Sequence, residues 1–339
     1  MDAFKPHILR SILHAVSGPD LIRFASVNLW ARNLVSGYME MHFSIDELLG
    51  QFFLPHHTAE LRRLQADIGV IISGSQAVQF FDRRRFDGSD LDLYAHISVS
   101  ATLEDWLSTA GYIRAMVVQR TEDSQVPEVI HHSYDGPVTR VATFRRLLGG
   151  NHTVQVISTC DTAIEVILAF PLTCVMNIIT HNEAISFYPI ATFHRREALV
   201  NKKSFSRNLE AFFGKYQDRG WTIMETLDGS QQFDQLSDFY CPPDTTRTRH
   251  VGDKHCWSIP LPPIEGCVDG FDYKFVNSWH LTYRNGPSIS FTILRHKKLT
   301  HSYVVAMDMG VVRKVDDLLQ QTSWDKSLLL CLRDHFART

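Results

Sequence analysis

Four residues in one short stretch carry the strongest chemical signal in the chain. Asp90 and Asp92 stand two apart in Asp90-Leu91-Asp92-Leu93-Tyr94, a strictly alternating run that reads as a half-buried strand. Side chains two apart on a strand point to the same face, so both carboxylates project together while Leu91 and Leu93 turn into a core. Carboxylates held side by side repel unless a cation neutralises them. A hard divalent ion with oxygen ligands, such as Mg2+, does so. Upstream, Gly74 and Ser75 lie between the apolar run Ile68-Gly69-Val70-Ile71-Ile72, which reads as a buried strand, and a short helix expected from Gln76 to Phe81. A helix N-terminus offers free N–H groups and a favourable dipole to a phosphate. Gly74 lets the backbone come close, and Ser75 adds a hydroxyl donor. A triphosphate at Gly74 and Ser75 beside a metal at Asp90 and Asp92 is the arrangement that metal-assisted attack on an α-phosphate requires.

Taken in order, the apolar strand, Gly74-Ser75, the helix and Asp90-x-Asp92 resemble the signature of the polymerase-beta-like nucleotidyltransferase superfamily, over about residues 66–220. The resemblance implies a small mixed sheet backed by helices. It also implies Mg2+-dependent transfer of a nucleotide from an NTP to a hydroxyl or similar acceptor, here unknown. The approach Arg85-x-x-x-Ser89-Asp90 resembles antitoxin-linked and antibiotic-modifying members. Lys202, Lys203 and Lys215 belong to a basic segment, 194–217, whose apolar spacing suits a helix, and Lys202 and Lys215 are the candidate nucleotide-binding cations. Active members usually place a third carboxylate on a later strand. The corresponding strand here is Thr153-Val154-Gln155-Val156-Ile157, where Thr153 and Gln155 share a face and neither is acidic. Asp161 or Glu165, on the helix expected next, are the available substitutes. Two outcomes stay open at this stage: turnover, or nucleotide binding without it.

Other patterns offer rival readings. Residues 5–38 resemble an F-box through Pro6, Ile8-Leu9, Ile12-Leu13, Asp20-Leu21, Phe24-Ala25, Val27-Asn28 and Trp30. That resemblance implies a protein partner at residues 1–60, the Skp adaptor of a ubiquitin ligase; the same periodicity also suits a helical cap on the core. In either case the chain reads as a non-catalytic interaction protein if the aspartate site is degenerate. Cys241, His250, His255, Cys256 and Cys267 are zinc-ligand residue types, but their spacing matches no common structural zinc pattern. His131-His132 and His194 lie in polar segments and read as solvated or locally bonded. No Gly-x-Ser-x-Gly elbow is present, and no Gly-x-x-x-x-Gly-Lys-Ser/Thr loop. Ser89 to Tyr94 and the later Cys256-Trp257-x-Ile259-Pro260-Leu261 resemble proteins of mushroom-forming fungi.

The elements that must position these residues follow from periodicity. The expected class is α+β. A helical segment occupies 1–60, a nucleotidyltransferase-like core 61–225, and a β-rich region with a last helix near 316–336 occupies 226–339. Within these, strands are expected at Val138 to Arg146, Thr153 to Ser158, Leu172 to Ile179, Lys274 to Tyr283, Ser288 to Leu294 and Ser302 to Met307. Gly149-Gly150-Asn151 and Asn285-Gly286 are hairpin signals. The chain has 339 residues, 44% hydrophobic and 21% charged, ordinary for a globular protein, and a net charge of −3 that advertises no nucleic-acid partner. Arg83-Arg84-Arg85 reads as a solvated cluster. The cysteines are too sparse for a disulfide scaffold, and Cys160, Cys174 and Cys331 read as buried thiols. The longest apolar stretch, Ala163 to Thr180, is broken by Glu165, Pro171 and Asn177, so no membrane partner is expected. With no secretory pattern at Met1 to Lys5, a cytoplasmic or nuclear location follows as the default.

Overall fold

The computed structural model describes residues 6–119, 137–146, 152–201, 209–227, 237–239, 246–266, 273–274, 276–282, 288–295, 299 and 301–306. The chain opens with helices α1 (Pro6–Ala15), α2 (Gly18–Ala25), α3 (Leu29–His42), α4 (Ile45–Leu49) and α5 (Pro55–Ile68). Three of them start where a short polar side chain can take a first-turn N–H. Ser17 Oγ accepts from Asp20 N at 3.3 Å, Asn28 Oδ1 from Ala31 N at 2.8 Å, and Ser44 Oγ from Glu47 N at 3.2 Å. Each such cap contributes about 1 kcal/mol. Proline opens α5, and Gly69 closes it in the left-handed region, at φ 67°. Ile68 and Gly69 therefore end a helix instead of starting a strand, and the strand expected from Ile68 shrinks to β1 (Ile71–Ser73).

After β1 come α6 (Gly74–Asp82), β2 (Leu91–His96), α7 (Ile97–Thr109), β3 (Tyr112–Gln119), β4 (Val138–Arg146), β5 (Thr153–Thr159) and α8 (Ala163–Leu168). Then follow β6 (Asn177–Ile179), β7 (Glu183–Ser186), β8 (Glu197–Leu199), α9 (Leu209–Asp218), β9 (Thr222–Met224), β10 (Arg247–His250) and β11 (Trp257–Pro260). The described part ends with β12 (Ser278–Thr282), β13 (Ser288–Ser290), β14 (Thr292–Leu294) and β15 (Tyr303–Val305). Eight strands form one mixed sheet in the order β11-β7-β6-β1-β2-β5-β4-β3, antiparallel except for the pair β2–β5. The protein is thus α+β. Strands from both sides of residue 226 share this sheet, because β11 supplies its edge.

The sheet is covered on both faces. Leu91, Leu93, Val154 and Val156 pack with α5 and α7 in one core, whereas Tyr94, Ile157, Ile71 and Ile178 pack with α8 in the other. β2 is consequently a central strand buried on both sides, not the half-buried strand its alternation suggests. The polar positions in that alternation are the aspartates themselves. Buried side chains of α5 tie it into the molecule: Arg62 donates to the carbonyls of His181 (2.7 Å) and Pro262 (2.6 Å), and Gln65 to that of Ile179 (2.9 Å).

Several expectations are corrected. The run Leu172 to Ile179 is not one strand; a 3-10 turn at Thr173–Val175 precedes β6, and the Asn177 amide donates to the Cys174 carbonyl at 2.8 Å to close it. The basic segment 194–217 is not one helix. A π-helical turn at Ile190–Arg195 leads into β8, Glu197–Leu199, which interrupts it before α9, Leu209–Asp218. The strand Ser288 to Leu294 divides at Phe291 into β13 and β14, which belong to different sheets. Cys160 is exposed, while Cys174 is buried as expected. The terminal helix, Cys331, both hairpin turn signals and His131-His132 lie outside the described residues. Among the described residues no helix is long and apolar enough to cross a membrane.

At the second core lies an ion pair whose arginine is fully buried. Arg249, 0% exposed, donates to Asp253 from Nε (2.5 Å) and Nη2 (3.1 Å) and to the carbonyls of Phe187 (2.8 Å) and Asp238 (3.2 Å). Its guanidinium also lies over the rings of Tyr188 and Trp279. Removing one partner of such a pair leaves an uncompensated buried charge. Arg249→Ala is expected to cost about 3–5 kcal/mol, read as a lowered midpoint in urea unfolding; a loss under about 1 kcal/mol, typical of an exposed pair, would contradict the burial.

Candidate active site

The antiparallel register of β1 and β2 sets Ser73 opposite Asp92. Where β1 ends, Gly74 takes φ +67° and starts α6. That backbone turn brings its Cα against the Asp92 carboxylate. A methyl group at Gly74 would collide with Asp92 Oδ2 and come within 3.2 Å of its carboxyl carbon. Glycine is therefore needed here twice over, for the left-handed backbone and for the space. Gly74→Ala is expected to cost about 1–3 kcal/mol from backbone strain and to push the Asp92 carboxylate away. Chemical denaturation checks the first effect and the Asp92 carboxyl resonance in NMR the second; a stable variant with an unaltered Asp92 resonance would disprove the contact.

The loop that delivers Asp90 is pinned to α6. Gln76 Nε2 donates to the Ser89 carbonyl at 3.0 Å, and Gln79 Oε1 accepts from Phe86 N at 2.7 Å. Asp90 and Asp92 thus emerge from the same face as Tyr94, one just before β2 and one within it. On the neighbouring strand Gln155 is paired in register with Asp92, and its amide Nε2 donates to Asp90 Oδ2 at 2.9 Å. Burial, and then the charge of Asp90, push the Asp92 carboxyl up to about 7, with Lys215 acting in the opposite direction. A carboxyl in that state releases its proton readily when a cation arrives. The oxygens of Asp90 and Asp92 are the hard donors a Mg2+ ion takes.

The N-terminus of α6 carries no side-chain cap. Ser73 occupies its cap position, but its hydroxyl is turned away and donates to the Asn177 carbonyl at 2.6 Å, so the first turn has no side-chain cap. Ser75 instead faces α9: its Oγ lies 3.4 Å from Tyr216 Oη and accepts from Arg219 Nη1 at 3.1 Å. Arg219 Nη2 donates at 3.1 Å to Ser89 Oγ, and the guanidinium stacks over Phe86 with its carbon 4.2 Å from the ring centre. Arg219 hence spans the two loop ends that carry Ser75 and Asp90. Lys215 is exposed on its outer side. The crowding protein and Arg219 lower its pKa, while Asp92 and Asp90 raise it, which puts it in the field of both carboxylates.

The structure therefore gathers Gly74, Ser75, Asp90, Asp92 and Lys215, and adds Arg219 and Gln155. Lys202 and Lys203 lie outside the described residues. Sequence reasoning missed Arg219 as a site residue; its place one helical turn after Lys215, on the same face, was the available signal. Asp161 and Glu165 do not reach this site, because they follow the far end of β5. Nor do the three arginines of the 83–85 cluster. Arg83 is not the solvated charge expected but half-buried, donating to the carbonyls of Leu13 (3.2 Å) and Val16 (2.9 Å) and to Tyr38 Oη (2.7 Å), while the exposed Arg84 lies 4.0 Å from Asp82 and Arg85 pairs with Glu47 at 2.7 Å. His194 is neither free nor locally bonded; it reaches the start of α2, with Nδ1 3.1 Å from Ser17 Oγ and 3.4 Å from Asp20 Oδ2. Cys241 and Cys267 lie outside the described residues. Of the other zinc-type residues, His250 Nδ1 faces the Val251 carbonyl (3.2 Å), Cys256 donates to the His250 carbonyl (3.7 Å), and His255 contacts Arg247.

No family model, curated protein or solved structure matches the chain.

Proposed function

We propose that the protein binds a nucleoside triphosphate with Mg2+ in a nucleotidyltransferase-like site, with Asp90 and Asp92 as metal ligands and the N-terminus of α6 at Gly74 and Ser75 as the phosphate seat. The observation that carries this reading is the contact of the Asp92 carboxylate with Gly74, which makes the metal position and the phosphate position neighbours. The uncapped first turn of α6 supplies backbone N–H donors and a positive dipole end. Arg219 holds Ser75 and Ser89 in place, and Lys215 adds positive charge. Mg2+, when bound, would neutralise phosphate charge and polarise the α-phosphate. An acceptor hydroxyl must also lose its proton. Gln155, the residue opposite Asp92, cannot take it, since an amide is no base. In this reading nucleotide binding is the robust property and transfer to an acceptor is slow.

The test is a thermal-shift titration of the whole protein with ATP, GTP, CTP and UTP, with and without Mg2+. A ligand selective for the native state raises its stability, by about 2.7 kcal/mol at a hundredfold excess over Kd. A Mg2+-dependent shift lost in Asp90→Ala/Asp92→Ala supports the reading, and no shift with any nucleotide overturns it.

A second reading, an F-box-type adaptor, draws on the outer surface of α1 to α3. Ile8, Ile12, Ile22, Val27, Leu29 and Trp30 are all exposed there, with Leu29 at 69% and Trp30 at 59%. Clustered exposed apolar side chains mark interaction surfaces. Co-purification with a Skp adaptor, lost on Trp30→Ala/Leu29→Ala, is its expected result; a helical cap with no partner gives none.

A further inference from the structure

The two parallel strands at the centre of the sheet send the chain to opposite faces. β2 continues into α7, whose Leu103 and Leu107 join the first core, and β5 leads into α8, whose Ile164 and Ile167 join the second. In open sheets such a divergence leaves a crevice outside the carboxyl ends of the strands, and ligands bind there. A cavity of about 670 Å³ occupies that place, lined by both strand–helix junctions, by the end of α5 and by residues around β14 and β15. Its volume lies in the range of small-molecule sites. It is distinct from the aspartate site: the latter sits at the start of β2, and the strand from Asp92 to His96 puts about 13 Å between them.

The walls are organised for a ligand with an anionic end. His96 joins the two junctions, with Nε2 2.9 Å from the Cys160 carbonyl and Nδ1 accepting from Ser98 N at 3.2 Å. Asp161, 6% exposed, is already matched, by Arg295 and by the Cys160 thiol at 3.3 Å. Glu165 behind it is lifted to about 7, first by burial and then by Asp161, so it adds little negative charge below neutrality. Among the described residues Arg295 pairs through Nη2, at one edge of its fork, and its side chain is 63% exposed and lines the cavity. A guanidinium offers further donors for a second oxyanion. His301 and Ser302 stand alongside, and the α7 N-terminus opens on the same space through Ser98 and Val99. Ile68, Val99, Leu299 and Tyr273 form an apolar side for the body of the ligand; Tyr273 is fixed by donating to the Gly69 carbonyl at 2.5 Å. Asp67 is exposed at the rim.

We infer that this cavity is a second ligand site, for a small organic anion whose phosphate or carboxylate group is held by Arg295 and His301. The test uses the full chain, in wild-type form and as Asp90→Asn/Asp92→Asn to remove metal-dependent binding at the other site. Ribose 5-phosphate, citrate and the neutral control glycerol are titrated while the imidazole resonances of His96 and His301 are followed by NMR. Saturable shifts with ribose 5-phosphate alone assign a phosphate ligand, and with citrate alone a carboxylate ligand. Either is expected to persist in the Asp90/Asp92 variant and to weaken at least tenfold in Arg295→Gln. Because Arg295→Gln leaves Asp161 without its partner, His301→Ala, a change at an exposed side chain, carries the same expectation of weakened binding. No shift with either anion up to on the order of 10 mM, shifts equal to those with glycerol, or shifts unaltered in both variants would overturn the inference.

Discussion

Asp92→Asn is expected to abolish the Mg2+-dependent stabilisation by nucleotide and, in the same molecule, to make the metal-free protein more stable at alkaline pH. On the proposed reading, the first effect follows from the loss of a charged metal ligand whose carboxylate lies against Gly74. The second follows from linkage. Burial and Asp90 raise the Asp92 carboxyl from its ordinary 3.8 to about 7 in the fold. The folded state therefore holds this proton more tightly than the unfolded chain. The favourable contribution is fully present below about pH 4 and is lost as pH rises through 7. An amide has no proton to lose, so the variant should show a flatter pH dependence of stability between 4 and 8. The same shift makes Mg2+ binding release a proton, so wild-type affinity should climb with pH across neutrality. Urea unfolding at several pH values and calorimetric Mg2+ titration in two buffers of different ionisation enthalpy measure both. Unchanged nucleotide stabilisation in Asp92→Asn would remove the basis for the site.

On the proposed reading, Gln155→Glu is expected to raise the slow transfer of a nucleotide. Gln155 stands in register with Asp92 and donates to Asp90. A carboxylate in its place would provide a third metal ligand and a base for the acceptor hydroxyl, and general-base catalysis contributes typically about 10²–10⁴-fold. The substitution also replaces a hydrogen bond with a repulsion among three acids, so the metal-free variant should lose stability as pH rises and recover it with Mg2+. Pyrophosphate release from each NTP, with water or a mixed pool of hydroxyl compounds as acceptors, reads the gain. If Gln155→Glu neither speeds release nor tightens Mg2+ binding, the amide is not what limits this site.

Much of the candidate site was legible because its residues lie close together in sequence and their geometry follows from local rules. Asp90 and Asp92 share a face because strands repeat every two residues, and a helix follows β1 as the pattern implied, though it opens at Gly74, two residues before Gln76. What escaped notice came from tertiary neighbours. Arg219 lies far along the chain from Ser75 and Ser89, and only the packing of α9 brings them together. The end of α5 was read as a strand because Ile68 to Ile72 is continuously apolar, and a left-handed glycine inside that run carries no apolar signal. Cys160 looked buried because its neighbours are apolar, yet it sits on a strand–helix junction that faces outward. The β2–α7 and β5–α8 junctions were each within reach of sequence reasoning. Their meeting was not, since it depends on β2 and β5 being parallel neighbours.

The edge strand β11 also has a consequence for how the chain is made. β7 must wait for Trp257 to Pro260 before its outer hydrogen-bonding row is filled, while the rest of the sheet's described strands precede it in the chain. At synthesis rates of about 5–20 residues per second, the roughly 70 residues between them take several seconds to emerge. During that interval a nascent chain on the ribosome presents Ala184 to Ser186 as an open edge, the kind that pairs with other chains. Translation pauses in the stretch between β7 and β11 would lengthen this exposure, and their placement in the message therefore bears on the yield of native protein.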